Sequence, residues 1–390
     1  MRPSYRVLAL GAVLSVLGTL VLAPGSAAQP GGADKNALSL LPKGYVCLRA
    51  TVPPRLDGRL DEAAWDAAAW SDPFVDIVGA GQPGPPLQTR FKLLWDDEYL
   101  YIGAYLEEPH VRARAEARDD YIHRIDSNFE VFLDPDGDSA EYAELQVNAI
   151  GTIFDLALSR PYKDDGLVLI NWDMKGLRVA VHVDGTINDA HDVDTGWSVE
   201  IAIPWRPDMK DFAGKAVPPR DGDRWRVNFS RVQWPDRVEG GGYVRAPEAR
   251  EDNWVWSPQG VVNMHRPETW GVVLFRDRPA GVDSTEVATP VDPAQAARAL
   301  LYRIYYAQRE HQERLGRCAA TLADLGLEQS ELMREGERLA GLASAIGAPV
   351  PGSLSLAATE NAYEASVEVR VGGEVQRWHV REDSRFWRSR

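Results

Sequence analysis

Two cysteines in 390 residues, Cys47 and Cys318, are too few for a disulfide framework, and no cysteine-histidine metal spacing occurs. They lie far apart in the chain, which favours two free thiols over a bridge. Long apolar runs are equally scarce. After residues 7–21 nothing approaches the roughly 18–20 residues that cross a bilayer, so no membrane span is expected. Positive charge is in deficit: 43 lysines and arginines against 58 acids leave a formal charge of −15. Such a chain repels nucleic acid and anionic lipid, and neither is expected as a partner. Helical periodicity is nearly missing before residue 277, where only "LDEAAWDAA" (60–68) suggests a helix.

What is present begins with a leader. Arg2 and Arg6 precede the apolar run at 7–21, and Ser26-Ala27-Ala28 places small residues before a cut after Ala28. Residues 1–28 are read as a signal peptide and 29–44 as a short linker, so the protein is expected to be secreted or periplasmic.

From 45 to 276 short alternating runs recur between turn residues: "TRFKLLW" (89–95), "YLYIGAYL" (99–106), "LRVAVHV" (177–183), "GWSVEIAIPW" (196–205), "RWRVNFSRV" (224–232) and "WGVVLF" (270–275). Many short strands punctuated by Gly, Pro, Asp and Asn predict a mainly β fold, an antiparallel β-sandwich of jelly-roll or immunoglobulin-like type. Of thirteen tryptophans, eleven fall between 65 and 270. Trp95, Trp197 and Trp270 are in phase with apolar neighbours and are expected in the core. Trp172 and Trp254 escape that phase and are candidates for ligand contact.

Residues 277–293, rich in Pro, Asp, Ser and Thr without apolar period, read as a linker. Asp292 and Pro293 then suit the start of a helix at about 294–315, where Ala297, Leu300, Leu301, Ile304 and Tyr305 keep helical spacing. A second helix is expected at about 328–345, and a hairpin turning at Gly372-Gly373. Residues 294–390 are predicted to form a small α+β domain.

"NFEVFLDPDGDSAEYAELQVN" (128–148) carries the densest polar pattern. If Phe129, Val131 and Leu133 face Val147, Leu145 and Ala143, then Glu130, Gln146 and Asn148 share the opposite face of the hairpin. Carboxylate and amide groups together supply acceptors and donors, which suits a hydroxyl-rich ligand. A solvated polar face is the alternative from the hairpin alone. Its turn offers Asp134, Asp136, Asp138 and Glu141, oxygen ligands of the kind calcium takes, though their spacing is not that of an EF-hand and the same residues make ordinary turns.

Several of these stretches, in order, resemble the family 9 carbohydrate-binding modules: "LDGRLDEAAW" (56–65), "TRFKLLWDDEYLYIGAYLEEP" (89–109), "NFEVFLDP" (128–135), "LQVNAIG" (145–151), "GWSVEIAIPW" (196–205) and "WSPQGVVNMHRPETWG" (256–271). The resemblance implies a β-sandwich that binds a polysaccharide or oligosaccharide without catalysis, in the service of carbohydrate catabolism. It marks Glu130 and Asn148 as sugar-contacting, with Gln146 where the family has a basic residue. The family's two stacking tryptophans fall on His123 and Met264, so Tyr121, Trp172, Trp254 or Trp256 would have to supply walls beside His123. No cofactor is implied beyond a structural calcium. In the tail, "LLYRIYYAQREHQERLGRCAATLADLGL" (300–327) is similar to type IV pilin-like proteins, which implies an envelope or extracellular assembly partner for the C-terminal domain.

Three other readings compete. Glu130 with Glu144 or Asp126 has the residue types of a glycosidase pair, although retaining and inverting enzymes need carboxyls at defined separations across a cleft. His123 and Met264 are residue types that ligate haem iron in electron-transfer proteins. The third is a structural or assembly protein whose sandwich has lost its ligand.

Overall fold

The structure, a computed structural model, describes residues 41–209, 212, 217–281 and 290–389. The expected signal peptide (1–28), most of the segment 29–44, and residues 282–289 of the expected linker lie outside the described residues. Among the described residues no helix is long and apolar enough to cross a membrane.

Fifteen strands make up the first body: β1 (Gly44–Arg49), β2 (Val75–Asp76), β3 (Thr89–Trp95), β4 (Tyr99–Glu107), β5 (Asn128–Asp134), β6 (Tyr142–Asn148), β7 (Ile153–Leu158), β8 (Val168–Leu169), β9 (Arg178–Asp184), β10 (Gly196–Pro204), β11 (Arg224–Gln233), β12 (Arg237–Glu239), β13 (Gly242–Val244), β14 (Asp252–Val255) and β15 (Gly271–Pro279). Two four-residue helices, α1 (Ala63–Asp66) and α2 (Ile122–Ile125), sit between them. The main hydrogen-bonded path runs β8-β7-β6-β5-β11-β15-β1-β3-β4-β10-β9 and folds back on itself as a sandwich. β1 turns the corner. It pairs parallel with β15 along its length and parallel with β3 through Leu48 and Arg49, while the other strand pairs are antiparallel among the described residues.

Alternation explains the core. Phe91, Leu93 and Trp95 of β3 point inward against Phe129 and Val131 of β5 and Val227 and Phe229 of β11, all at most 1% exposed. The rings of Phe91 and Phe229 meet at 4.0 Å across the two layers. Trp95, Trp197 and Trp270 are buried, as their phase implies, and both cysteines are free and buried.

The "LDGRLDEAAW" stretch closes the outer face of the second layer. Buried Glu200 of β10 accepts the indole N–H of Trp65 at 2.7 Å and the backbone N–H groups of Asp57 and Gly58 at 2.8 and 2.7 Å. Gly58 has φ +86 and lies against the Val181 backbone, where a Cβ would come within 2.3 Å, so only glycine fits.

The tail has α3 (Gln295–Leu315) and α4 (Gln329–Leu342) against a sheet of β16 (Ala348–Pro349), β17 (Ser355–Ala358), β18 (Tyr363–Val371), β19 (Glu374–Arg381) and β20 (Phe386–Arg388). Gly372 and Gly373, at φ +55 and +90, form the β18–β19 turn. Asp292 accepts the Ala294 N–H at 2.8 Å at the start of α3.

Both flanks of the expected linker are tied down. β15 runs to Pro279, and the Ala280 N–H bonds Arg49 O at 2.9 Å. α3 then lies directly on the sandwich through a tyrosine face. The Tyr302 hydroxyl bonds Ser139, Tyr305 bonds Asp164, and Tyr306 bonds Glu268 and, at 2.8 Å, Arg266.

Candidate functional site

β5 and β6 pair in the register that alternation implies, with Asn128 opposite Asn148, Glu130 opposite Gln146 and Phe132 opposite Glu144. Glu130, Glu144 and Gln146 therefore share one sheet face with Phe154 of β7 and Ser230 of β11. The other face of the hairpin enters the main core.

The polar face is not the open shelf that the hairpin suggests. Glu130, Gln146 and Asn148 are only 4%, 2% and 0% exposed. The cause is long-range: Ile77, Ala115, Ile122, Met264 and Trp270 arrive from distant loops and form a second apolar cluster with Phe132, Tyr142, Phe154 and Leu156. The 115–125 and 261–270 segments thus pack around a polar floor, here termed the cup.

Its hydrogen bonds form a chain. Gln146 Nε2 donates to Glu144 Oε1 at 2.6 Å, while Gln146 Oε1 accepts the His123 N–H at 3.2 Å and lies 3.2 Å from His123 Nδ1. Glu144 Oε2 lies 3.6 Å from His265 Nε2, and His265 Nδ1 lies 2.8 Å from the Tyr142 hydroxyl. Two exposed rings rim the cup. Tyr162 packs edge-on to His265 at 4.4 Å, and Tyr121 lies 5.6 Å from Phe154 and 6.1 Å from His123.

Burial opposes charge throughout this set. It pushes the Glu130 carboxyl well up, and the neighbouring Glu144 adds to the shift. Glu144 is pushed up to about 7 by burial, against the pull of the Gln146 N–H. Burial also lowers His123, and it lowers His265 to about 3 with the help of the Lys163 charge. Desolvation thus opposes charge at all four titratable groups of the cup.

Of the residues singled out in the sequence, Glu130, Gln146, His123 and Tyr121 come together here. Asn148 does not serve the cup: its Nδ2 donates to Ala115 O at 2.9 Å and Asp126 Oδ2 at 3.1 Å, and its Oδ1 accepts Ile150 N and Thr152 N at 3.2 and 2.9 Å. It ties the 115 and 126 segments to the sheet. Asp126, already accepting the N–H groups of Arg114 and Ala115, is structural for the same reason. Trp254 is on the wrong face, because it pairs with Arg231 rather than Ser230 and packs into the main core, 5% exposed. Trp172 packs against that same core and edge-on to Phe212 at 5.2 Å. Sequence reading did not count Glu144 among the binding residues, and it missed His265 and Tyr162 altogether. Strand phase identifies Glu144, but nothing local marks the other two.

Asn148→Ala is expected to destabilise the protein by about 2–4 kcal/mol, since it leaves several buried donors and acceptors unmet. Ligand affinity should stay within twofold, as read by denaturant melts beside titrations.

The Glu144 environment sets a pH dependence. Its folded pKa near 7 exceeds the unfolded value of about 4.3. The native state holds the proton more tightly, so stability is lost as pH rises through that window, by at most about 1.4 kcal/mol per unit. Glu144→Gln should flatten the fall between pH 5 and 7.5 in denaturant melts. An unchanged slope would count against the buried placement.

Asp134, Asp136 and Asp138 gather with ligand atoms within 4.8 Å of one another, whereas Glu141 is not in the group. Asp134 accepts the Gly137 and Ser139 N–H groups at 2.9 and 3.0 Å, and Asp138 is held by Arg385 at 3.0 Å. Three carboxylates engaged in this way would supply only part of the six to eight oxygens that calcium takes.

Cavities lie elsewhere on the sandwich. One of about 470 Å³ is flanked by Trp70 and Tyr105, and one of about 240 Å³ has Trp254 in its wall.

Residues 56–218 match the family model described as carbohydrate family 9 binding domain-like. Among solved structures the chain is similar to a family 9 carbohydrate-binding module from Caldicellulosiruptor kristjanssonii in complex with cellotriose, at 15% identity and TM-score 0.37 over 64% of this chain and 100% of that one. It is also similar to a carbohydrate-binding protein from Bacteroides uniformis, at 16% identity and TM-score 0.44 over 60% and 100%. No curated protein matches the chain. The matched segment includes β5, β6 and β7, and the resemblance to the carbohydrate family 9 binding domain-like model is confined to residues 56–218.

Proposed function

We propose that the protein is an exported, non-catalytic carbohydrate-binding protein, and that the cup over β5 and β6 is its sugar site. The observation that carries this reading is the convergence of buried polar side chains on one sheet face, linked by hydrogen bonds. Glu130, Glu144, Gln146, His123 and His265 offer donors and acceptors close together with ionisation suppressed, which suits a neutral polyhydroxylated ligand better than an ion. The family match supports the ligand class. Tyr121 and Tyr162 stand where a pyranose ring entering the cup would meet aromatic faces, in place of the tryptophans that the family uses. Glu130 and Glu144 lie side by side on one sheet face rather than facing each other across a cleft, which argues for holding a glycan rather than cleaving it. An assembly role for the C-terminal domain belongs to the same proposal and would use surfaces other than the tyrosine face of α3.

A screen of oligosaccharides followed by calorimetric titration tests this reading. Tyr121→Ala should weaken binding about tenfold with an unchanged melt, because the ring is 45% exposed. Unchanged affinity in both Tyr121→Ala and Tyr162→Ala, or steady release of reducing sugar by the pure protein, would overturn it. The groove beside Trp70, whose ring is 41% exposed, is the competing location.

A further inference from the structure

The second layer of the sandwich has an outward face that the cup does not use. Phe91, Leu93 and Trp95 of β3 point into the core, so Arg90 and Lys92 point out, and Tyr105 of β4 stands opposite Arg90. Trp70, which follows α1, joins Arg90, Tyr105, Leu87, Gln88 and Glu107 in lining a cavity of about 470 Å³, within the usual range of a small-molecule site. None of its lining residues belongs to the cup.

Trp70 is held as a plate. Lys92 is 6% exposed, its Nζ donates to Trp65 O at 2.6 Å, and it sits 4.6 Å over the Trp70 ring. A buried, tethered cation thus backs the indole. Trp70 is nevertheless 41% exposed.

The polar groups around it carry both signs. Arg90 is half-buried, and its guanidinium makes no hydrogen bond or ion pair among the described residues. Glu107 is exposed and accepts the Gln88 N–H at 3.0 Å through one oxygen. Asp194, also in the wall, is already engaged, because its two oxygens accept the N–H groups of Val111 and Thr186, each at 2.7 Å. A small anion would meet Glu107 and a cation would meet Arg90, whereas a neutral hydroxyl group donates to one and accepts from the other. An apolar plate flanked by a donor and an acceptor fits a pyranose, whose ring face is apolar and whose edge carries hydroxyls. Leu87 and Pro109 also wall the neighbouring cavity of about 240 Å³, which contains Trp234 and His110, so the two adjoin.

We propose that this groove is a second glycan site that takes the interior of a neutral chain from the side, with a pyranose stacked on Trp70 and its hydroxyls on Arg90 and Glu107. Trp70, Gln88, Glu107 and Thr195 are all exposed, which leaves the groove open along its edge. The proposal rests on the reading of the protein as sugar-binding and adds a second point of attachment, which strengthens the hold on a polymer that reaches both sites.

Calorimetric titration of the full chain with cellohexaose, xylohexaose and mannohexaose, beside gel retardation in β-glucan, arabinoxylan and galactomannan, tests this. The parent should show two sites for the preferred hexasaccharide. Trp70→Ala should remove one of them and weaken retardation in the matching polysaccharide by about fivefold or more, with an unchanged melt. Trp70→Tyr, which keeps a stacking ring, should recover most of that loss, and Arg90→Ala should weaken the same site while Tyr121→Ala does not touch it. Titrations and retardation at parental values in both Trp70→Ala and Arg90→Ala would overturn the proposal and leave the cup as the sugar site. No binding of any probe by the parent would instead overturn the sugar reading itself, and this proposal with it.

Discussion

Glu268→Ala is expected to lower the unfolding free energy by about 3–5 kcal/mol, the usual cost of stranding buried charges. Glu268 sits at 1% exposure between Lys163 Nζ at 3.3 Å and Arg266 Nε at 3.2 Å, and Tyr306 of α3 donates its hydroxyl to the same carboxylate. Burial alone would raise its pKa, but the two cations and the tyrosine overcome this and hold it at about 2. Its stabilisation is therefore present above the unfolded pKa and is lost as pH falls towards 2. Without the carboxylate, Arg266 loses its acid and Lys163 keeps only Asp164, at 3.9 Å, at the junction of the Tyr162–Asp164 turn, the 266–268 segment and α3. Tyr306→Phe, which keeps both charge pairs, should cost only about 1 kcal/mol. Denaturant melts at pH 7 measure both. A loss below about 1 kcal/mol for Glu268→Ala would mean that the tail is not anchored there.

The second large effect concerns binding. Glu130→Ala should raise the Kd of the best oligosaccharide about two- to tenfold, since a hydrogen bond to a neutral group is worth about 0.5–1.5 kcal/mol. The melt should not suffer in proportion. Glu130 is an acid whose ionisation is opposed by burial and by Glu144, so removing it relieves a conflict while opening a small void. Unimpaired affinity would move the site away from the hairpin.

The hairpin shows what a local pattern reveals and where it stops. Alternation alone implies the pairing of Phe129 with Val147, Val131 with Leu145 and Leu133 with Ala143, because a slip of one residue would turn the apolar set away from the core. The same pattern says nothing about what covers the opposite face. Ile77, Ile122 and Met264 arrive there from segments up to 187 residues apart, converting an expected wet shelf into a cup. Trp254 is placed by a contact of the same long-range kind. A tryptophan after acidic residues looks like a loop residue, yet β14 pairs with β11 and turns it into the main core beneath Arg231. Asn148 is polar and correctly phased with Glu130, but both its amide atoms are consumed by the 115, 126 and 150–152 backbone and side chains. In the tail, the helices and the glycine turn were legible from periodicity. The tyrosine face of α3 was not, because Tyr302, Tyr305 and Tyr306 read as an ordinary apolar stripe until their hydroxyls are seen to reach Ser139, Asp164 and Glu268.

A crystal structure of the protein with the oligosaccharide selected by screening tests the sugar cup most directly. The expected result is a sugar ring between Tyr121 and Tyr162 with hydroxyls within hydrogen-bond distance of at least two of Glu130, Glu144, His123 and His265. Density for the sugar in the Trp70–Tyr105 groove, with the cup empty, would contradict it.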